Sequence, residues 1–482
     1  MPTRKPLPWL GAAVVLLFTQ QALAVTDADR VAVYRDFLSQ YQARKYAEAQ
    51  PLAEKLVALT EEQYGADDLQ LTNPLTNLAT VHFRQGHYPE AIENYQRTLR
   101  ILQAKSTIAD KAQITPLHGL GVAFLANRDP ESAVVALKRA ADLSRNTDGL
   151  FNIQQVEFID PLIEAYASTG RYADADKEAQ YALRVEEAAF GRNSVELVDR
   201  LEKLAQWFEF DRRYTSERNV YERILGILAR GAPENDLRRV SPLRGIARAY
   251  RLEAFYGAEG ADSGGSFNAS ASGAPVFSDG TQQRRGEASL VAALTVVEAN
   301  TPVDLNLRGA VLTDLGDWFL VTNSLRRAYD TYAEAWKAFA AVGNTKVLAM
   351  PRLMAYRPSI SSVDRSQLDP AEAVVKDIEL HFTVDRDGRV DKVTSPTTDV
   401  PESILRSVMT AVKRSRYAPR IENGIAVPTE DVVAYEKVMV KAPAPAEQPS
   451  SERAEESPAD PASESPSPAP SVPVPEAKPP EA

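Results

Sequence analysis

The sequence predicts a mainly α fold: a right-handed superhelical solenoid of about seven helix pairs, then a small α+β unit of order ββαβ and a disordered tail. Three observations carry this prediction. Ala49, Ala91, Ala133 and Ala175 recur every 42 residues, with Glu217 on the same beat, and such a period marks stacked copies of one supersecondary unit. Asp377-Ile-Glu-Leu-His-Phe-Thr-Val384 alternates polar and apolar residues with period two, as a half-buried strand does. From about Lys441 onward, Pro, Ala, Ser and Glu dominate and leave almost nothing to bury.

Within one repeat, Leu78, His82 and Phe83 lie at helical spacing, as do Ala91, Tyr95 and Leu99. Gly86-His87-Tyr88-Pro89 separates the two helices, glycine being free to take positive φ and proline suiting a helix start. The small residue at the Ala91 position lets the second helix approach the first. A large side chain there overpacks the contact, at roughly 1–3 kcal/mol. The frame recurs as Leu120-Gly121, Phe124, Ala133, Leu137 and Ala140, and as Leu162, Tyr166, Gly170, Tyr172, Ala175, Ala179 and Ala182-Leu183. Five copies in phase, from about Asp27 to Arg230, resemble the tetratricopeptide repeat in the 42-residue form of kinesin light chains. The resemblance implies a groove that binds a protein or peptide and no catalysis.

The array is expected to continue to about residue 343. Leu243, Ile246-Ala247 and Tyr250 read as a sixth first helix and Ala288-Ser289-Leu290 as its partner. Gly257 to Gly286, rich in Gly, Ser and Ala, reads as an inserted loop between them. A seventh pair follows at Leu315-Gly316-Asp317-Trp318-Phe319, Ala328, Tyr332 and Ala335. The solenoid is therefore placed at residues 27–343.

Residues 1–24 carry Arg4 and Lys5, an apolar stretch from Leu7 to Phe18, and the exit Ala22-Leu23-Ala24. That is the build of a secretory signal cut after Ala24. About a dozen apolar residues fall short of the roughly 20 that a spanning helix needs, so no spanning segment is expected in the mature chain. Without cysteine the chain has no disulfide, thiolate metal site or lipidated N-terminal cysteine. A bacterial periplasmic location is expected.

Residues 353–441 form a second unit. Asp385-Arg-Asp-Gly388 is a hairpin turn signal and Val390 to Val393 a returning strand. Pro401 to Arg416 reads as a helix with Ile404, Leu405, Val408 and Val412 on one face, and Val427 to Val440 as the last strand. This order, with Arg416-Tyr417-Ala418-Pro419 after the helix and Glu422-Asn423-Gly424 before the last strand, resembles the C-terminal domain of TonB-family proteins. The resemblance implies a periplasmic module that takes a segment of an outer-membrane receptor as an added strand. The chain departs from the family in having Ser415 where a tryptophan usually stands, and in placing its proline-rich stretch (residues 442–482) after the domain.

The net charge of −11 becomes −13 without Arg4 and Lys5. This disfavours a nucleic-acid partner, whose binding relies on clustered Lys and Arg. The local run Lys413-Arg414-x-Arg416 suits a helix C-terminus; a contact with phosphate or an anionic polymer is the alternative.

Ligands of tetratricopeptide repeats contact first-helix residues facing the concave groove. Carried onto this sequence, the resemblance implies Asn73, Thr76, Thr80 and Arg84 in one repeat, Glu157, Asp160 and Glu164 in another, and Asp199, Glu202, Gln206 and Glu209 in the next. The acidic residues suggest a basic partner segment, or only a solvated helix face. His82, His87, His118 and His381 are too scattered for a metal cluster. Gly119-Leu-Gly121 lacks the preceding strand of a phosphate loop, Asp385-x-Asp387-Gly388 lacks the other ligands of a calcium loop, and Ser263 has no nucleophile-elbow context. No catalytic, cofactor or metal site is expected. The reading is a periplasmic adaptor that holds one protein or peptide in its groove and recruits a second envelope partner through the small module. The alternatives are a divergent TonB-family energy transducer retained by an uncleaved anchor, and an envelope enzyme with its site around residues 257–286.

Overall fold

The computed structural model describes residues 27–105, 111–257, 275–356 and 373–441. The expected signal segment, most of the expected insertion and the tail lie outside these residues. Seven helix pairs follow one another: α1 (Asp27–Gln42) with α2 (Tyr46–Tyr64), α3 (Thr72–Arg84) with α4 (Tyr88–Lys105), α5 (Ile114–Ala126) with α6 (Pro130–Asp148), and α7 (Val156–Ser168) with α8 (Tyr172–Phe190). Then come α9 (Val198–Phe210) with α10 (Tyr214–Gly231), α11 (Val240–Tyr256) with α12 (Gly280–Glu298), and α13 (Leu305–Val321) with α14 (Leu325–Ala340). The alanines of the 42-residue beat are fully buried at each helix crossing. Among the described residues no helix is long and apolar enough to cross a membrane.

Two details of the repeat emerge only in three dimensions. A short 3-10 turn precedes each of α3, α5, α7, α9 and α11, at Leu69–Leu71, Lys111–Gln113, Ile153–Gln155, Val195–Leu197 and Leu237–Arg239. Asp68, Asn152 and Asp236 cap three of these turns by accepting a backbone N–H. The turn inside each of the first five pairs places one residue at positive φ, namely Arg44, Gly86, Arg128, Gly170 and Arg212, and Asn323 does so in the seventh. Glycine takes this conformation freely, whereas arginine pays steric strain. Arg128→Gly is therefore expected to raise the unfolding free energy by about 0.5–1 kcal/mol, strain relief exceeding the added entropy of the unfolded chain. Urea titration of the two proteins checks it.

The sixth pair forms, with one correction. Helix α12 starts at Gly280, so residues 280–286 are helical and not part of the loop. Asp279 starts it by accepting the N–H groups of Thr281 and Gln282 at 2.7 and 2.8 Å, a capping signal that the Gly/Ser bias of the preceding segment masks.

The C-terminal region contains β1 (Arg352–Ala355), β2 (Ala373–Val384), β3 (Val390–Thr394), α15 (Glu402–Lys413), β4 (Arg416–Ala418), β5 (Arg420–Glu422), β6 (Ile425–Val427) and β7 (Thr429–Lys441). Strands β3, β2 and β7 form an antiparallel sheet in that order. Helix α15 packs Ile404, Val408 and Val412 against Ile378, Leu380, Phe382, Val438 and Val440. Two expectations need correcting. Arg416–Ala418, where the expected helix ended, is a strand paired with β1, and the expected last strand forms as β7 but from Thr429, Val427 ending β6 instead. Strands β5 and β6 are joined by an Asn423-Gly424 turn that holds both residues at positive φ. These short strands are set by what they pack on. Met354, Ala355, Ala418 and Ile421 belong to the same apolar core as α13 and α14.

Polar contacts hold this junction. Asp317 of α13 is buried and accepts from Tyr332 Oη at 2.7 Å and Arg352 at 2.8 Å, with Arg251 at 3.6 Å. Tyr256 Oη donates to the Tyr356 carbonyl at 2.9 Å and accepts the Tyr356 N–H at 3.0 Å. Tyr329 of α14 bonds Asp387 in the β2–β3 turn. Gly388 in that turn has φ +75°, and a Cβ on it would stand 1.8 Å from the Tyr417 carbonyl oxygen, so only glycine fits there.

Candidate functional site

First helices of neighbouring repeats lie side by side, and charged pairs tie them together. Arg200 of α9 reaches Asp160 of α7 at 2.5 Å, and Arg248 of α11 reaches Glu209 of α9 at 2.6 Å. Between α7 and α9 opens a cleft of about 320 Å³. Ile163, Ala167, Leu204, Trp207 and Phe210 form its apolar lining, and Asp160, Glu164, Arg200, Lys203 and Gln206 its polar one. Phe210 remains 58% exposed. Its ring lies 5.6 Å from Trp207 and 5.8 Å from Tyr172, centroid to centroid. The Trp207 indole is held by donating Nε1–H to Asp176 at 3.1 Å, and Arg213 holds the same carboxylate. An exposed phenyl ring on a fixed indole is a preformed contact for an apolar side chain.

Of the residues implied by the repeat resemblance, Asp160, Glu164 and Gln206 meet in this cleft. Burial raises the Asp160 pKa, but bonds from Arg200 and Lys203 outweigh it and hold the carboxyl below its ordinary range. Asp160 is thus neutralised within the fold, as Glu209 is by Arg248. Glu157, Glu164, Asp199 and Glu202 form no ion pair among the described residues. In the second repeat Asn73 and Arg84 are exposed. The Thr76 hydroxyl donates to the Thr72 carbonyl at 2.7 Å, while Thr80 bonds the Thr76 carbonyl and the Tyr95 hydroxyl at 2.8 and 2.9 Å. Both hydroxyls therefore serve the helix packing.

Sequence reasoning missed Lys203, Trp207 and Phe210. Lys203, Gln206 and Phe210 follow the i, i+3, i+7 spacing of one helix face, which is the signal that would have found them. The same helix pair also carries an exception to the repeat. Glu217, at the alanine position, is fully buried and neither carboxyl oxygen has a hydrogen-bond partner among the described residues. Burial, then the nearby Glu209 charge, pushes its pKa up to about 8, so it is protonated at neutral pH. His82 is packed in the core, and burial lowers its pKa.

Comparison with known proteins bears on the solenoid. Residues 38–104 match the family model of the tetratricopeptide repeat. No curated protein matches. Similar solved structures include the nearly identical TPR-like kinesin light chain repeats of Podosopora anserina, at 16% identity and TM-score 0.39, covering 42% of this chain and 95% of that one. The C-terminal part of a TPR repeat-containing protein of Cytophaga hutchinsonii matches at 11% identity and TM-score 0.42, covering 63% and 95%. The TPR2AB domain of yeast Sti1, in complex with an HSP90 peptide, matches at 14% identity and TM-score 0.23, covering 66% and 94%. The chain carries tetratricopeptide repeats within residues 38–104, a fold that is in general a non-catalytic protein-interaction scaffold, and no enzymatic family is indicated.

Proposed function

We propose that this protein is a periplasmic interaction scaffold that holds a protein or peptide segment along its first helices, anchored in the α7–α9 cleft. The observation that carries this reading is the cleft itself, with an exposed Phe210 on a fixed Trp207 and the unpaired Glu164 beside it. The solenoid is the right-handed superhelical platform of its family, and Glu157, Glu164, Asp199 and Glu202, four carboxylates without an ion pair among the described residues, favour a partner with basic residues flanking an apolar one. The C-terminal unit acts as a TonB-like module. Its sheet order β3-β2-β7 leaves the outer edge of β7 unpaired among the described residues, where a second envelope partner adds a strand. A signal segment at residues 1–24 takes the chain to the periplasm.

Crosslinking in intact host cells, followed by capture and mapping of linked residues, tests this reading. Links from residues 156–210 to one recurrent partner, with Val25 as first residue, are expected. Phe210→Ala should weaken that partner's binding about tenfold or more, as loss of an aromatic anchor does. Glu164→Lys with Glu202→Lys should weaken it further and reduce its salt dependence. Links only from residues 373–441 to an outer-membrane receptor, with Met1 retained, would replace the scaffold by an energy transducer.

A further inference from the structure

A second cleft, of about 280 Å³, lies at the turn end of the β3-β2-β7 sheet. Three separate elements bring four cations to it: Arg389 from the β2–β3 turn, Lys413 and Arg414 from the end of α15, and Arg416 from β4. The helix macrodipole accounts for cations at the end of α15. It does not account for Arg389, which comes from another element, nor for a cleft between them.

Asp385 and Asp387 lie near Arg416 and favour its charge, but neither forms an ion pair with the four cations among the described residues. Asp385 accepts the backbone N–H groups of Asp387 and Arg389, each at 2.8 Å. Asp387 is held by the Tyr329 hydroxyl, with Arg386 at 3.7 Å. Arg389, Lys413 and Arg414 are exposed and form no ion pair among the described residues. Arg416 is half-buried, and among the described residues its guanidinium donates only to the Asp387 carbonyl, at 3.3 Å. Burial, then the Arg389 charge, lowers its pKa, outweighing the opposite pull of Asp385 and Asp387.

We propose that this cleft docks the acidic segment of residues 447–464 of the same chain. Residues 442–482 hold eight carboxylates against two cations, and six of the eight fall at Glu447, Glu452, Glu455, Glu456, Asp460 and Glu464. The geometry allows the return. Lys441 pairs with Ala373 at the far end of the sheet, while Thr429 pairs with Val384 beside the turn. The intervening strand spans about 40 Å, which about 12 extended residues cover. Glu455, Glu456 and Asp460 lie 14 to 19 residues beyond Lys441, so they reach the cleft without strain. Covalent attachment raises their effective concentration to about the millimolar range, enough for a few charge-assisted contacts to Arg and Lys. The docked segment would exclude other anions from the same cations.

The absence of native cysteine permits clean spin labelling of the full chain. Labels go on Ser457→Cys in the acidic segment and Arg406→Cys on the exposed face of α15. Pulsed electron resonance is expected to show a defined short-distance component at low ionic strength. That component should disappear at about 1 M salt, where the Debye length is about 3 Å. Adding Arg389→Glu with Arg414→Glu should abolish it at low salt, with circular dichroism confirming an unchanged fold. A broad distribution identical in the parent and charge-reversed chains would overturn the proposal. So would a short component that survives both salt and charge reversal, or one lost on dilution with unlabelled chain, which would assign the contact to a second copy.

Discussion

Asp317→Ala is expected to destabilise the last repeat and its junction with the C-terminal region by about 3–5 kcal/mol, the cost of leaving buried charge without its partner. Asp317 sits in α13 and is the shared acceptor for Tyr332 of α14 and Arg352 of β1, with Arg251 of α11 close by. Alanine removes the acceptor and strands two guanidinium groups beside a fully buried tyrosine. Burial, the larger of the causes that hold the Tyr332 hydroxyl well above its ordinary pKa, persists in the variant, so the hydroxyl stays a donor without its acceptor. The effect is directional. Strand β1 loses its anchor first, and with it β4, its pairing partner. Chemical denaturation should show the loss, and limited proteolysis should show new cleavage around residues 349–356. A midpoint unchanged from the parent would mean that the apolar core alone holds the junction.

Glu217→Ala is expected to act in the opposite sense, and only above acidic pH. The folded pKa of about 8 exceeds the ordinary 4.5 because burial disfavours the anion. Below pH 4.5 the carboxyl is protonated in folded and unfolded chains alike, and burial carries no ionisation cost. Between those values the unfolded chain releases the proton while the folded chain keeps it. Stability of the parent therefore falls by about 1.4 kcal/mol per pH unit through that window. Above about pH 8 the accumulated loss is on the order of 5 kcal/mol. Alanine, the residue found at this position in the four preceding repeats, removes the slope. Thermal melts of the two proteins at pH 5 and pH 9 should differ little at the first and widely at the second. Parallel melting at both would show that the carboxyl finds a partner when it ionises.

Much of the fold was legible in the chain because repetition multiplies a weak signal. One alanine between two amphipathic stretches says little, whereas Ala49, Ala91, Ala133 and Ala175 at constant spacing select one helix crossing, and all four are buried there. The β2–β3 hairpin was legible because strand alternation and an Asp-x-Asp-Gly turn act over a few residues. What escaped depends on partners distant in the chain. Arg416–Ala418 is too short to announce a strand, and becomes one because β1 offers a pairing edge and α13 and α14 an apolar seat. The candidate groove was legible by position but not by charge. The repeat resemblance implied Asp160, Glu164 and Gln206, which line one cleft, yet which carboxylates remain without an ion pair is decided across repeats, where Arg200 and Lys203 claim Asp160 and Arg248 claims Glu209.

The sequence by itself determined the helix pairs, their 42-residue register and the β-α content of the C-terminal region, since backbone conformation and apolar periodicity are local properties. Tertiary structure alone decided the joining of the two regions around Asp317, the Trp207–Phe210 cleft and the cationic cleft at Arg389. Each of these gathers side chains from elements far apart in the chain, and their burial and pairing are fixed by packing.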